Sequence, residues 1–356
     1  MAVYFLMILL LGVFFMFNAY YLQHAKFNTV QNEKPTKVVS FLTISVLALV
    51  AGLRYRVGAD YEYYYTSYGG FKRAELNIFD EPGFKFLARL SERIYDDPAT
   101  LLFIAAFITV VLMAVTVLRN SEMYWLSILL YIFLGEWSGC FNGIRQYLAV
   151  AVLFAGHCYI KEKKFWRWML VVFLAMLFHI TAVVGIVFYF YPRIKLSLKN
   201  ICLSVLLVFI GIRVYDKIFA LIGFIKQDEL ILEGTRATYI LNSINPLRIA
   251  VAWVPVIFFL VFKKFYNTNQ EKLCFYMNMS ILNACFMTVA MNSAYLGRIG
   301  GYTNIYNTIV WPLLLQKVEK KSRILLIGLM LICYIFYWLT EMSKEDLAVF
   351  TWIFQR

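Results

Sequence analysis

Arginines recur in this chain where apolar runs meet polar turns. Arg54 and Arg56 stand in Gly-Leu-Arg-Tyr-Arg-Val-Gly-Ala-Asp-Tyr at 52–61 and Arg145 in Asn-Gly-Ile-Arg-Gln at 142–146. Arg236 lies in Gly-Thr-Arg-Ala-Thr-Tyr at 234–239, and Arg298 closes Asn-Ser-Ala-Tyr-Leu-Gly-Arg at 292–298. A guanidinium beside apolar surroundings is costly unless it meets an anion, and its planar fork matches phosphate oxygens. Three side chains suit the work of a base on a hydroxyl: Asp60, Glu81 ahead of Pro82-Gly83-Phe84, and His179 inside an apolar run. Their spacing does not rank them. Around these groups stand the rings, amides and carboxylate of Tyr61, Glu136, Asn142, Gln146 and Tyr239. Each residue also has a plainer reading. Arg54, Arg56 and Arg298 suit interfacial anchors, Glu136 suits an ion-pair partner for Arg145, and the tyrosines near 61–68 suit an interfacial belt.

The elements that must position them are membrane helices. Of 356 residues, 62% are hydrophobic and 15% charged, against about 25% charged in ordinary soluble domains. The apolar residues gather in runs near 2–22, 38–53, 100–118, 123–138, 143–160, 168–191, 201–214, 247–262, 276–294, 302–316 and 324–340. Runs of this kind approach or reach the length needed to cross a ~30 Å hydrocarbon core, where only helices satisfy their own backbone. The expectation is an all-α polytopic membrane protein forming one domain over 1–356, with about 10 transmembrane helices. Outer loops 54–99 and 215–246 lie over the site. Six cysteines without C-x-x-C spacing, and no carboxylate–histidine pattern of ligand type, predict neither a metal site nor a cofactor. The net charge of +13 is read as a topology signal, not as a nucleic-acid footprint.

Basic residues should collect in cytoplasmic loops. With the N-terminus outside, that rule holds up to Arg167 and then fails if 168–191 is an ordinary span. If 168–191 instead enters and returns to the same side, with His179 near its tip, the positive excess sits on the cytoplasmic face. A straight span with a second irregular segment near 218–225 is the rival. In the re-entrant topology the clusters at 52–61, 80–95, 136–146, 215–246 and 292–298 share the outer side. Within 80–95, Phe86, Leu87, Leu90 and Ile94 at helical spacing predict an amphipathic helix on the outer interface, with Lys85, Arg89 and Arg93 in one basic row.

The motifs at 52–61 and 142–146, Glu81 before Pro-Gly-Phe, Phe178-His179 after a basic loop, and Arg236 three residues before Tyr239 together resemble the EpsG family, which belongs with Wzy-type polymerases. The similarity runs from residue 1 to about 300. It implies a GT-C-like membrane glycosyltransferase in the bacterial cytoplasmic membrane, with its site on the outer face. Such an enzyme moves a growing glycan from one undecaprenyl diphosphate onto a repeat unit carried by another. Donor and acceptor lipids, the bilayer and a chain-length regulator are the implied partners. On that resemblance Arg54, Arg56, Arg145 and Arg298 would hold the diphosphate. Asp60, Glu81 or His179 would assist the acceptor hydroxyl, Arg236 with its loop would close over the glycan, and Tyr61, Glu136, Asn142, Gln146 and Tyr239 would contact it. A glycan ligase or a lipid-linked oligosaccharide flippase would want a similar basic site.

Overall fold

A computed structural model of the chain describes residues 1–24, 34–78, 80–210, 244–292 and 294–356. The protein is an all-α polytopic membrane protein. Among the described residues, four helices are long and apolar enough to cross a membrane: Ala2–Gln23, Pro98–Asn120, Tyr124–Asn142 and Lys320–Met342. The chain divides into two compact units, Met1–Ile186 with Trp311–Arg356, and Val187–Val310.

The first unit is built around Pro98–Asn120. Pro98 takes the first helical position, where its missing N–H costs nothing, and Asp97 caps the start by accepting from the Ala99 N–H at 2.8 Å. Helices Lys37–Gly52, Pro82–Ile94, Tyr124–Phe133 and Ile144–Gly156 pack on it. Its contact face carries Ala105, Ala106 and Ala114, all buried. Small side chains let helices approach closely where no hydrophobic drive exists between helix and lipid. Farther along the chain, the Trp311 indole donates to the Tyr334 hydroxyl at 2.8 Å, linking the last long helix to the residues before it. That helix leaves Ile324, Leu325, Leu329, Ile332 and Phe336 exposed, the pattern of a lipid-facing side.

Several apolar runs prove to be broken. Tyr124–Phe133 and Glu136–Asn142 meet at Gly135, whose φ of +79° is a left-handed conformation that glycine adopts without penalty. The run at 168–191 divides more sharply. Helix Phe165–Met176 ends, His179 is extended, and a tight helical turn follows over Ile180–Val184. Twelve residues at ~1.5 Å rise reach about 18 Å, short of a ~30 Å core. The chain then runs back beside the same helix: the Trp168 indole donates to the Gly185 carbonyl at 2.8 Å. Gly185 sits so close to Val172 that an added Cβ would lie 2.9 Å from it. Over 165–185 the segment is therefore a hairpin with His179 at its turn.

The end of the chain is tied to the polar loop after Lys37–Gly52. Tyr55 N–H donates to Thr351 O at 2.8 Å, Ile353 N–H to Leu53 O at 2.9 Å and Gly58 N–H to Asp346 O at 2.9 Å. Arg356 pairs with Asp97 at 2.6 Å. Gly58 also meets the turn at Phe141–Asn142, and the Ala59 N–H donates to Asn142 Oδ1 at 2.8 Å.

In the second unit, Glu271–Val289 carries polar residues that bond neighbouring segments inside apolar surroundings. Asn278 donates to the Pro192 and Ile194 carbonyls at 3.1 and 2.7 Å, and Asn283 to the Gly300 carbonyl at 3.0 Å. Arg298 lies in this unit, on the helix Ala294–Asn304.

The Gly58 turn yields a stability prediction. Its φ is +105°, and an added Cβ would stand 2.5 Å from the Phe141 carbonyl oxygen. Gly58→Ala should cost about 1–2 kcal/mol from the left-handed backbone alone, with the steric conflict added. Thermal unfolding in detergent should register a clear drop for this variant. Gly69→Ala, where a Cβ would meet open space, should unfold as the wild type does.

Candidate functional site

Two chain-distant side chains converge on one carboxylate. Glu81 stands just before helix Pro82–Ile94 with φ 48° and ψ 54°, a left-handed conformation that non-glycine residues rarely adopt. Its side chain does not cap that helix. Instead Oε2 accepts from Arg145 Nη1 at 2.5 Å and Oε1 accepts from His179 Nδ1 at 2.6 Å. The Ile180 N–H adds a longer contact to Oε1 at 3.4 Å. Beside them, Arg145 Nε donates to the Tyr64 hydroxyl at 3.1 Å. The positions are held by backbone as well: the Gly83 N–H donates to Leu177 O at 2.8 Å. An added Cβ at Gly83 would come within 2.9 Å of that oxygen, so the mouth of the helix seats directly on the hairpin turn.

The packing beneath is apolar. Tyr61, Tyr64, Phe84, Leu87, Ala88, Leu101, Leu102, Ala105, Ile144 and Leu148 form one buried cluster, with Phe178 against its edge. The Glu81 side chain is 12% exposed. Burial alone would raise its carboxyl pKa; the His179 hydrogen bond and the Arg145 charge oppose that and hold it below the ordinary carboxylate range. A carboxylate only accepts, so neutral His179 must carry its proton on Nδ1 and present a bare lone pair at Nε2. Among the described residues neither His179 Nε2 nor Arg145 Nη2 has a hydrogen-bond partner. A lone-pair nitrogen and a guanidinium N–H thus flank the same carboxylate, able to receive a proton and to hold an anion.

Other residues expected at a site are placed differently. Arg54 is 2% exposed. Its Nε donates to Val57 O at 3.3 Å, Nη1 to Ala51 O, and Nη2 to Cys140 O at 3.4 Å, with the guanidinium over the Phe141 ring. Ala51 and Cys140 lie in the last turns of Lys37–Gly52 and Glu136–Asn142. The partial negative charge of two helix C-termini therefore faces this cation. Burial lowers the Arg54 pKa from its usual value, yet guanidinium stays protonated in proteins. The cation expected at the diphosphate is thus buried here and held by three backbone carbonyls. Arg56 remains at the surface, φ 51°, paired with Glu62 at 3.5 Å. Asp60 starts the short helix Tyr61–Thr66.

Among the expected glycan contacts, Tyr61, Glu136 and Gln146 are buried, and Asn142 holds the Ala59 amide. The expected Glu136–Arg145 pair is replaced by Glu81–Arg145. Arg236 and Tyr239 lie outside the described residues, as does most of 215–246. Tyr64, which orients Arg145, was not singled out from the sequence; it stands in a run of tyrosines that hides it. The basic row also has local work. Lys85 bonds Asp80 and the Glu75 carbonyl, while Arg89 bonds the Lys72 and Ala74 carbonyls, so both pin the preceding loop. No group of three His, Cys, Asp or Glu side chains suited to a metal occurs among the described residues.

A family model described as the EpsG family matches residues 37–353. No curated protein and no solved structure matches the chain.

The Glu81 network makes stability depend on pH with a defined sign. Because the folded carboxyl titrates below its unfolded value, its contribution is present above the ordinary carboxylate range. It is lost as pH falls through the depressed value. The melting-temperature gap between wild type and Glu81→Gln should be widest near neutral pH and close as pH drops below about 4. A gap that stays constant across the series would contradict the assignment.

Proposed function

The chain belongs to the EpsG family, and from that premise we propose that it polymerises undecaprenyl-diphosphate-linked repeat units into a surface polysaccharide. The reaction takes place on the outer face of the bacterial cytoplasmic membrane. Family membership supports a polysaccharide polymerase-type membrane enzyme. The observation that carries the finer reading is the Arg145–Glu81–His179 arrangement, with one donor and one lone pair left open beside a shared carboxylate.

The acceptor hydroxyl loses its proton to His179 Nε2 as its oxygen attacks the anomeric carbon of the donor sugar. The anomeric C–O bond to the diphosphate breaks, and undecaprenyl diphosphate departs with the electron pair. Glu81 keeps the imidazole in the right tautomer and stabilises the imidazolium that forms, as a buried carboxylate does beside a catalytic histidine. Arg145 meets the charge developing on the leaving diphosphate through its open Nη2. Asp60 is no longer equivalent to the other two as base, since Glu81 and His179 act as a pair. Arg56 and Arg298 remain proposed diphosphate contacts, and Arg236 a proposed glycan contact.

The test is glycan length on the lipid carrier in a deletion strain complemented with variants. Arg145→Ala should abolish polymer and leave single repeats on undecaprenyl diphosphate; normal long-chain polymer would overturn the role. His179→Ala should slow polymerisation by about 10²–10⁴-fold, the usual worth of a positioned base. Finished polymer retained on its lipid in the deletion strain would instead identify a ligase, and repeats trapped on the cytoplasmic side a flippase.

A further inference from the structure

Helix Pro82–Ile94 has three faces. At about 100° per residue, Phe84, Leu87, Ala88 and Ser91 fall on one side and are buried. Lys85, Arg89 and Arg93 mark a second, basic side. Phe86, Leu90 and Ile94 share the third side and are 58%, 37% and 64% exposed. The sequence pattern joined Leu87 to that apolar set; the structure assigns Leu87 to the core and leaves the other three outward. A helix bound only to protein and water needs one apolar face, and this one has two.

Depth indicates what the second apolar face meets. The buried face packs with Leu101, Leu102 and Ala105. These occupy the first two turns of the membrane-crossing helix that starts at Pro98. Ala105 is seven residues beyond Pro98, about 10 Å along the axis. That is the depth at which in-plane amphipathic helices lie, with their apolar side at the headgroup–acyl boundary. Ile94 also precedes the start of that span by four residues, so the two helices are joined at the membrane edge. Farther down the same span Phe107 is exposed, which continues an apolar surface toward lipid.

We propose that Pro82–Ile94 lies in the plane of the bilayer, with Phe86, Leu90 and Ile94 among the acyl chains of one leaflet. In this arrangement the lipid covers the stripe, the protein core covers the opposite face, the loop before the helix covers Lys85 and Arg89, and exposed Arg93 reaches headgroups and water. Glu81, one residue ahead of the helix, is thereby held at headgroup level whichever reaction the site performs.

Nitroxide accessibility in reconstituted phospholipid vesicles tests this without reference to activity. Leu90→Cys, Ile94→Cys and, as the polar-side control, Arg93→Cys are labelled, and the signal of the unsubstituted protein with its exposed Cys202 and Cys333 is subtracted. All three positions are exposed, and none belongs to the buried cluster under the helix. The ratio of oxygen to aqueous nickel-complex collisions should be several-fold higher at 90 and 94 than at 93. Equal, water-dominated collisions at all three would overturn the proposal. Collisions with neither reagent at 90 and 94 would also overturn it, by placing another protein surface on the stripe.

Discussion

Glu81 ties together parts of the chain that lie far apart in sequence. Its two oxygens reach Arg145 and His179, which lie 64 and 98 positions away. Replacing a buried pair with apolar residues is often neutral, but removing one partner strands a charge and costs about 3–5 kcal/mol. The network is therefore weak as a source of net stability and strong as a constraint on which conformation the chain adopts. The left-handed backbone at Glu81 fits that view. It costs about 1–2 kcal/mol for a residue with a side chain and persists because the neighbours over-determine it. The carboxylate is fixed from two sides, and the Gly83 amide two residues on is fixed by Leu177.

Two arginines of similar sequence setting meet opposite fates for electrostatic reasons. Arg145 opens a helix, where the backbone dipole is positive and offers a cation nothing, so it needs a carboxylate and finds Glu81. Arg54 follows a helix end, where carbonyls without intrahelical partners point outward, and a second helix end is brought up to it by the turn at Phe141–Asn142. Arg54 is accordingly satisfied by backbone and stays buried, while Arg145 keeps one face open. The tail from Asp346 to Ile353 completes this corner by bonding the loop around Arg54 through main-chain groups.

Much of the architecture was legible, because apolar run length is set by bilayer thickness and charge balance by topology. The interruption within 168–191 could be inferred from where the lysines fall, and the hairpin turn at His179 lies inside it. Partners of charged groups were harder to read. Glu136 stands nine positions from Arg145 and looked like its partner, but it opens a separate short helix and is buried there. Glu81 is far off in sequence and becomes the partner through the hairpin and the seating of Gly83, neither of which periodicity records. The tail's bonds to residues 53–58 left no trace at all in side-chain pattern, since they run through backbone amides and carbonyls.

The same geometry explains why a proton and a leaving group could be handled at one place. Before transfer, the Arg145, Glu81 and neutral His179 side chains sum to no net charge. On the proposed reading, proton uptake at Nε2 makes the trio net positive at the moment the departing diphosphate gains negative charge. The carboxylate stabilises the new imidazolium and, by sharing itself between two cations, holds each less tightly. Arg145 is then freer to engage phosphate oxygens just when they need it. A site with the base and the arginine on unconnected supports would have to bring those two events together by chance; on the proposed reading one carboxylate couples them.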